Sequence, residues 1–415
     1  MKIIKLWNWD NFVVFLLSFA CFFLLPLVDV ARGALVVLFI LLLFGKEKKN
    51  TIHSYLSTSY KWIFWSCLSL YFIYVIGILY SPDKLSGISE LETKITLLLM
   101  PILFLLIPKR LFSEENQKKY LFSYILSCLV FAAWTLIKAY LRFSGNPKIS
   151  TDTFFKSDLA LHVHTTYASL FFVMGIAFSF YLLKKISLKK WQKYSLIGVI
   201  CIFFGYTILL SSRGGLLALI ITSILIIISF IKTKKSIIYG FLSFILFTTL
   251  LLFLGERVNY LHRRINDTKS AIENFHEDAP KQDARISLWK NTIPVIKERF
   301  WFGIGTGGKD IAMDAIKIEE NPDLNNPHNQ YLQTAIEVGF LGVLFLCFMF
   351  STALWVGVKK RSYLLTIFIL IFSVNCLFES MLERVQGNTF FMFILFMIVS
   401  IIFRNKKEQD TIRVE

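Results

Sequence analysis

The chain has 415 residues, of which 55% are hydrophobic and 42 are phenylalanine. Its apolar residues fall into long blocks, and about 18 or more consecutive apolar residues suffice to cross a bilayer. This excludes an ordinary soluble domain and predicts an all-α polytopic membrane protein. The net charge of +17 does not point to nucleic acid: its lysines and arginines are spread among the short gaps between apolar blocks, whereas nucleic-acid binding needs a clustered basic face.

In chain order the blocks predict twelve spans, at about residues 11–28, 31–45, 62–80, 92–107, 120–141, 165–183, 194–210, 215–231, 236–255, 329–358, 363–379 and 387–403. The second and fourth are short, which suits a tilted or partly re-entrant segment. The first block leads directly into a second and lacks a small-residue cleavage site, so it is read as a span rather than a signal peptide. All six cysteines lie inside apolar blocks, where they serve as small core hydrophobes; neither a disulfide nor a cysteine metal site is expected.

The short connections alternate in charge. One set holds "GKEKKN", "PKRLFSEENQKK", "KKISLKKWQK", "KTKK" and "KKR", together with both chain ends; the other holds "DVAR", "YSPDKLSGISELE", "SSRGG" and "ESMLERVQ". Positive residues collect in cytoplasmic loops, so both termini are expected in the cytoplasm. The long polar stretch 256–327, with eleven Lys/Arg and twelve Asp/Glu, is then expected outside as one large loop in an otherwise single transmembrane domain.

Four polar features fall on that outer face. "LHVHTTYAS" carries His162, His164 and Tyr167 before the sixth span; no third ligand accompanies the H-x-H spacing, so a metal is not expected. They are either interfacial residues or, through His164 and Tyr167, contacts to a lipid-linked substrate. "SSRGG" sets Arg213 between two apolar blocks, where a guanidinium must snorkel or hold an anionic ligand. In the long loop, Asp283 can cap a helix in which Ile286, Trp289, Ile293 and Ile296 recur at helical spacing. Arg285 sits in its first turn, against the dipole preference there, as a solvated charge or a ligand to an anion. "GIGTGG" (Gly303 to Gly308) follows no strand and opens no apolar helix, so its glycines are read as turning the chain, not as a dinucleotide site. The fourth feature is "NNPHNQYLQTAIEVGFLG", where His328 and Asn329 stand at the mouth of the tenth span, either as a polar cap by Asn325 or Asn326 or as a positioned base. Glu379, at the end of an apolar block in "FESMLERVQG", needs a partner there, an arginine or a histidine.

In the order "SSRGG", Arg285-x-x-x-Trp289 with "FGIGTGG", then "PHNQYLQTAIEVGFLG", the chain resembles the O-antigen ligase and O-antigen polymerase superfamily. The likeness spans most of residues 160–400. It implies a glycosyltransferase of the bacterial inner membrane, with an active site facing the periplasm and neither metal nor other cofactor. The implied ligase reaction moves a glycan from undecaprenyl pyrophosphate to a lipid A-core sugar. The family's essential arginines map onto Arg213 and Arg285, and its essential histidine onto His328. His164, Tyr167, Asn329 and Glu379 are expected as further substrate contacts. The rivals are a polymerase using the same donor and, from another class, a twelve-span transporter; a transporter favours charged sites at the midplane and internal repeats, and the chain shows no convincing repeat.

Overall fold

A computed structural model describes residues 9–45, 47–145, 151–230, 284–316 and 326–404, with side chains described from 288 onward in the helix that begins at 284. The predicted ninth span, most of the loop at 256–283 and both chain ends lie outside the described residues. What is described is all-helical, with no strand among the described residues. This follows from the medium: in hydrocarbon every backbone polar group needs an internal partner, which a helix supplies within itself.

The helices are α1 (Trp9–Phe23), α2 (Val28–Leu43), α3 (Lys48–Leu56), α4 (Tyr60–Leu79), α5 (Lys84–Lys94), α6 (Thr96–Leu106), α7 (Glu114–Gly145), α8 (Lys156–Ala160), α9 (Thr165–Lys185), α10 (Lys190–Leu210), α11 (Arg213–Phe230), α12 (Ala284–Glu298), α13 (Lys309–Ile316), α14 (Gln330–Lys359), α15 (Tyr363–Asn375) and α16 (Val385–Ile402). Six of them, α4, α7, α9, α10, α14 and α16, are long and apolar enough to cross a membrane by themselves. The expected fourth span is two pieces: α5 ends at Lys94, and the apolar α6 has only 11 residues, with Pro101 inside it. At 1.5 Å per residue such a helix is about 17 Å long, short of a bilayer core.

The centre of the bundle is formed by α9 and α16, whose apolar windows are 89% and 83% buried. Phenylalanine fills it. Phe171 of α9 meets Phe390 of α16 at 4.2 Å between ring centroids, and Phe372 of α15 meets Phe391 at 4.3 Å. Around this core α4 packs on α14, α1 on α7, and α11 on both α9 and α15. The basic connections meet at one end, where Arg110 pairs with Asp10 and Glu47, and Arg404 with Glu114. The four polar features meet at the other. Cys21, Cys67, Cys128 and Cys376 are buried, and all six cysteines are free.

The expected continuous tenth span is broken. In α14, Val338 and Gly339 leave helical geometry, with Gly339 at φ +69°. The glycine-rich segment fills the break: Ile304 and Gly305 donate their N–H groups to the carbonyls of Ile336 and Glu337, each at 2.8 Å, and Phe340 N donates to Phe300 O at 2.8 Å. Thr306 and Gly307 anchor the same segment to α4 and the turn after it, through Tyr74 O and Ser81 Oγ, at 2.6 and 2.9 Å. A kink usually leaves backbone groups without partners, and here another backbone supplies them. The glycines therefore do more than turn the chain. A Cβ on Gly303 would lie 2.6 Å from Ile336 O, and one on Gly339 2.4 Å from the Trp301 backbone.

Candidate functional site

His328 stands one residue before the cap of α14. Asn326 Oδ1 accepts from His328 N at 2.8 Å and from Ser380 Oγ at 3.3 Å, so Asn326 shapes the turn rather than capping the helix. The cap is Asn329, whose Oδ1 accepts from Tyr331 N and Leu332 N at 2.9 and 3.2 Å. The cap is thus Asn329 rather than Asn326, and Asn325 lies outside the described residues; the Asn329 oxygen, expected as a substrate contact, is engaged by its own helix. His328 itself takes a left-handed backbone, φ +47°, a conformation costing an L-residue about 1–2 kcal/mol. Its surroundings hold it there. Trp289 Nε1 of α12 donates to Pro327 O at 2.7 Å, tying the loop helix to the histidine's turn.

Glu379 faces this histidine. The chain leaves α15 at Asn375 and folds back through residues 376–384 before α16. Both Glu379 carboxylate oxygens lie 3.2 Å from His328 Nδ1, and the carboxylate is 2% exposed. His164 Nε2 stands 3.7 Å from the same carboxylate. A carboxylate on Nδ1 fixes the neutral ring with its proton on that nitrogen, leaving Nε2 as the acceptor. Of the partners the sequence offered Glu379, a histidine is among those the structure shows. The side chain of His328 keeps 17% of its surface exposed, so the ring is accessible from one side.

Tyr167 departs from expectation. It is 1% exposed, and its hydroxyl donates to Ser380 O and Met381 O at 3.3 Å. It is buried beneath the 376–384 loop and supports it, because α9 is the central helix and its first turn lies inside the bundle. His162 turns away from His164 and packs near Trp134 and Phe131, at 5.8 and 6.3 Å between ring centroids. An open cavity of about 380 Å³, lined by Lys156, His162, His164, Thr165 and Arg384, adjoins the pair.

Arg213 is the first residue of α11, after a left-handed Ser211 at φ +46°. The two glycines that follow permit a close approach: a Cβ on Gly214 would lie 2.2 Å from Asn375 Oδ1, and one on Gly215 2.3 Å from Ser169 Cβ. Ser212 Oγ meets Thr166 Oγ1 at 3.1 Å, which puts the start of α11 beside the start of α9. Arg285 lies in the first turn of α12; its side chain is outside the described residues. The buried stripe of α12 is Leu288, Thr292, Val295 and Ile296, against Ile304, Met313, Ile316 and Ile336. Ile293, expected on it, is exposed, since it falls about 100° from its neighbour Thr292 around the helix.

The sequence reading missed a charge cluster just below the pair. Lys94 is fully buried, with Nζ 2.8 Å from Glu90 Oε2, 3.0 Å from Glu383 Oε2 and 3.6 Å from Glu337 Oε2. Lys309 reaches Glu90 at 3.5 Å. The three carboxylates offer oxygens within 4.8 Å of one another, a spacing that suits a cation, and the Lys94 ammonium stands among them as that cation. Burial opposes the charge of Glu383, and the ammonium groups of Lys94 and Lys309, with the Gln330 amide, outweigh it, holding its carboxyl below the ordinary 4.5. The signal was available: Lys94 and Glu337 are charges inside segments read as apolar spans.

Fold and site together define a helical membrane protein with a carboxylate-held histidine at one end of its bundle. Residues 197–347, somewhat over a third of the chain, match a family model described as O-antigen ligase. The resemblance to the O-antigen ligase-like superfamily is thereby shown. The chain is also similar to a Haemophilus influenzae protein described as uncharacterized, 23% identical over 315 residues, covering 73% of this chain and 74% of that one.

Proposed function

We propose that the protein is an O-antigen ligase-type glycosyltransferase of the inner membrane, moving a glycan from undecaprenyl pyrophosphate to a sugar hydroxyl of lipid A-core. The observation that carries this reading is the buried Glu379 carboxylate on His328 Nδ1, beside the start of the arginine-bearing α11. In the reaction the acceptor hydroxyl gives its proton to His328 Nε2, and its oxygen bonds to the anomeric carbon. The bond from that carbon to the diphosphate oxygen breaks, and the lipid diphosphate leaves with the electron pair. Glu379 stabilises the imidazolium as it forms. Arg213 and Arg285 bind the diphosphate and the charge developing on it, in the bidentate manner of guanidinium on phosphate oxygens. His164 assists Glu379 at the edge of the acceptor cavity. The end carrying these groups faces the periplasm, with both termini in the cytoplasm, and residues 256–327 form the periplasmic loop of a single transmembrane domain.

The test is to incubate the purified chain with undecaprenyl-pyrophosphate glycan and lipid A-core and to look for the joined product. Product from wild type and none from His328→Asn supports the reading; equal product from both ends it. The polymerase alternative uses the same site chemistry with a second lipid-linked repeat as acceptor. Glycolipids of a deletion strain separate the two: long glycan left on the carrier marks a lost ligase, single repeats a lost polymerase.

A further inference from the structure

We propose that Lys94 is a positioning residue for the His328–Glu379 pair, acting through Glu383 and Gln330. The inference rests on the transfer reaction proposed above and extends its site into the N-terminal part of the chain, outside the residues that match the family. Glu383 Oε2 is held by Lys94 at 3.0 Å, and its Oε1 accepts from Gln330 Nε2 at 3.2 Å. Gln330 Oε1 accepts from Leu382 N at 2.6 Å, and Gln330 N donates to Cys376 O at 2.7 Å. One residue, two positions after His328, thus grips the 376–384 loop at both ends, with Glu379 between the grips.

Lys94 is what permits this grip. Glu90 and Glu337 are fixed on α5 and α14, whereas Glu383 lies on the loop. Without the central ammonium, the Glu90 and Glu383 carboxylates would face each other beside the Glu337 carboxyl, with oxygens within 4.8 Å of one another and Lys309 3.5 Å from Glu90. Like charges so close repel strongly in a site shielded from water. The member free to move is Glu383, and its displacement carries Leu382 and the Glu379 segment with it. The ammonium also lies 4.9 Å from the centre of the Tyr74 ring, whose hydroxyl meets Thr334 Oγ1 at 3.1 Å, so α4, α5 and α14 all bear on its position.

The experiment pairs a structural and a kinetic readout. Asn326→Cys with Ser380→Cys replaces a contact of 3.3 Å between the histidine's turn and the loop, and copper-phenanthroline oxidation then reports whether the two remain apposed. In that background Lys94→Met is expected to slow cross-linking at least about tenfold, and Lys94→Arg to preserve it. In the otherwise native chain Lys94→Met is expected to lower kcat about 100-fold, the scale for a displacement near 1 Å, with the donor KM unchanged. Lys94→Met with Glu383→Gln removes the repelled charge together with its counter-charge, so it inserts and elutes as wild type should the single variant fail, and it is expected to restore cross-linking to near the native rate. Native cross-linking in a folded Lys94→Met, or slow cross-linking in the folded double variant, overturns the proposal. Cross-linking does not depend on turnover, so failure of the transfer reaction itself appears separately, as absent product in the wild type.

Discussion

Replacing Glu379 with glutamine keeps the shape of the side chain and removes its charge. Both carboxylate oxygens lie 3.2 Å from His328 Nδ1 with the carboxylate 2% exposed, so solvent screens the interaction little. A hydrogen bond to a charged group contributes about 1.5–3 kcal/mol, and the part that grows as the imidazole gains its proton is expressed in the transition state. At about 1.4 kcal/mol per tenfold, Glu379→Gln is expected to lower kcat roughly 10- to 150-fold. The donor KM should stay within about twofold, because the buried carboxylate acts on the histidine ring. The assay is in vitro transfer by purified protein in detergent, with donor and acceptor varied separately and thermal unfolding run alongside to verify the fold. A native kcat in a folded Glu379→Gln variant, or a loss carried wholly by KM, would refute the assignment of Glu379 to the histidine.

The remaining expectations follow from the same geometry. Because His328 sits at φ +47°, His328→Asn, a residue that tolerates this region, is expected to abolish transfer with little change in unfolding temperature, whereas His328→Ala should also lose stability; equal unfolding temperatures would contradict the strain. Gly339→Ala is expected to destabilise the protein by at least about 1–2 kcal/mol, since φ is +69° and the new Cβ meets the Trp301 backbone at 2.4 Å; thermal unfolding in detergent measures it. Glu383, held below the ordinary carboxylate value, stabilises the fold fully above pH 4.5 and loses that contribution as pH falls through its lowered folded value. Unfolding temperature should therefore drop on acidification below pH 4.5, and Glu383→Gln should flatten that drop. Arg213→Gln is expected to abolish transfer while the protein still inserts, as seen by product assay and membrane fractionation.

The sequence by itself determined the helical, membrane-embedded class, because apolar block length is local information and a bilayer leaves the backbone little other choice. Charge alternation grouped the polar features on one side, and His328, Arg213 and Arg285 stood out as polar residues against apolar segments. Glu379 was legible as a carboxylate in need of a partner; which partner was not, since His328 lies 51 positions away and only the fold-back of residues 376–384 brings them together. Tyr167 was misplaced for a similar reason: an α9 first turn looks interfacial in sequence and is buried once α16 packs against it. The break in α14 depends on backbone donors supplied from residues 304 and 305, which no window along the tenth span contains. The Lys94 cluster joins charges of α5, α14 and the loop before α16. Of these charges Lys94 and Glu337 alone fall inside predicted spans, and only the packing of those elements joins them to Glu90 and Glu383 in one network.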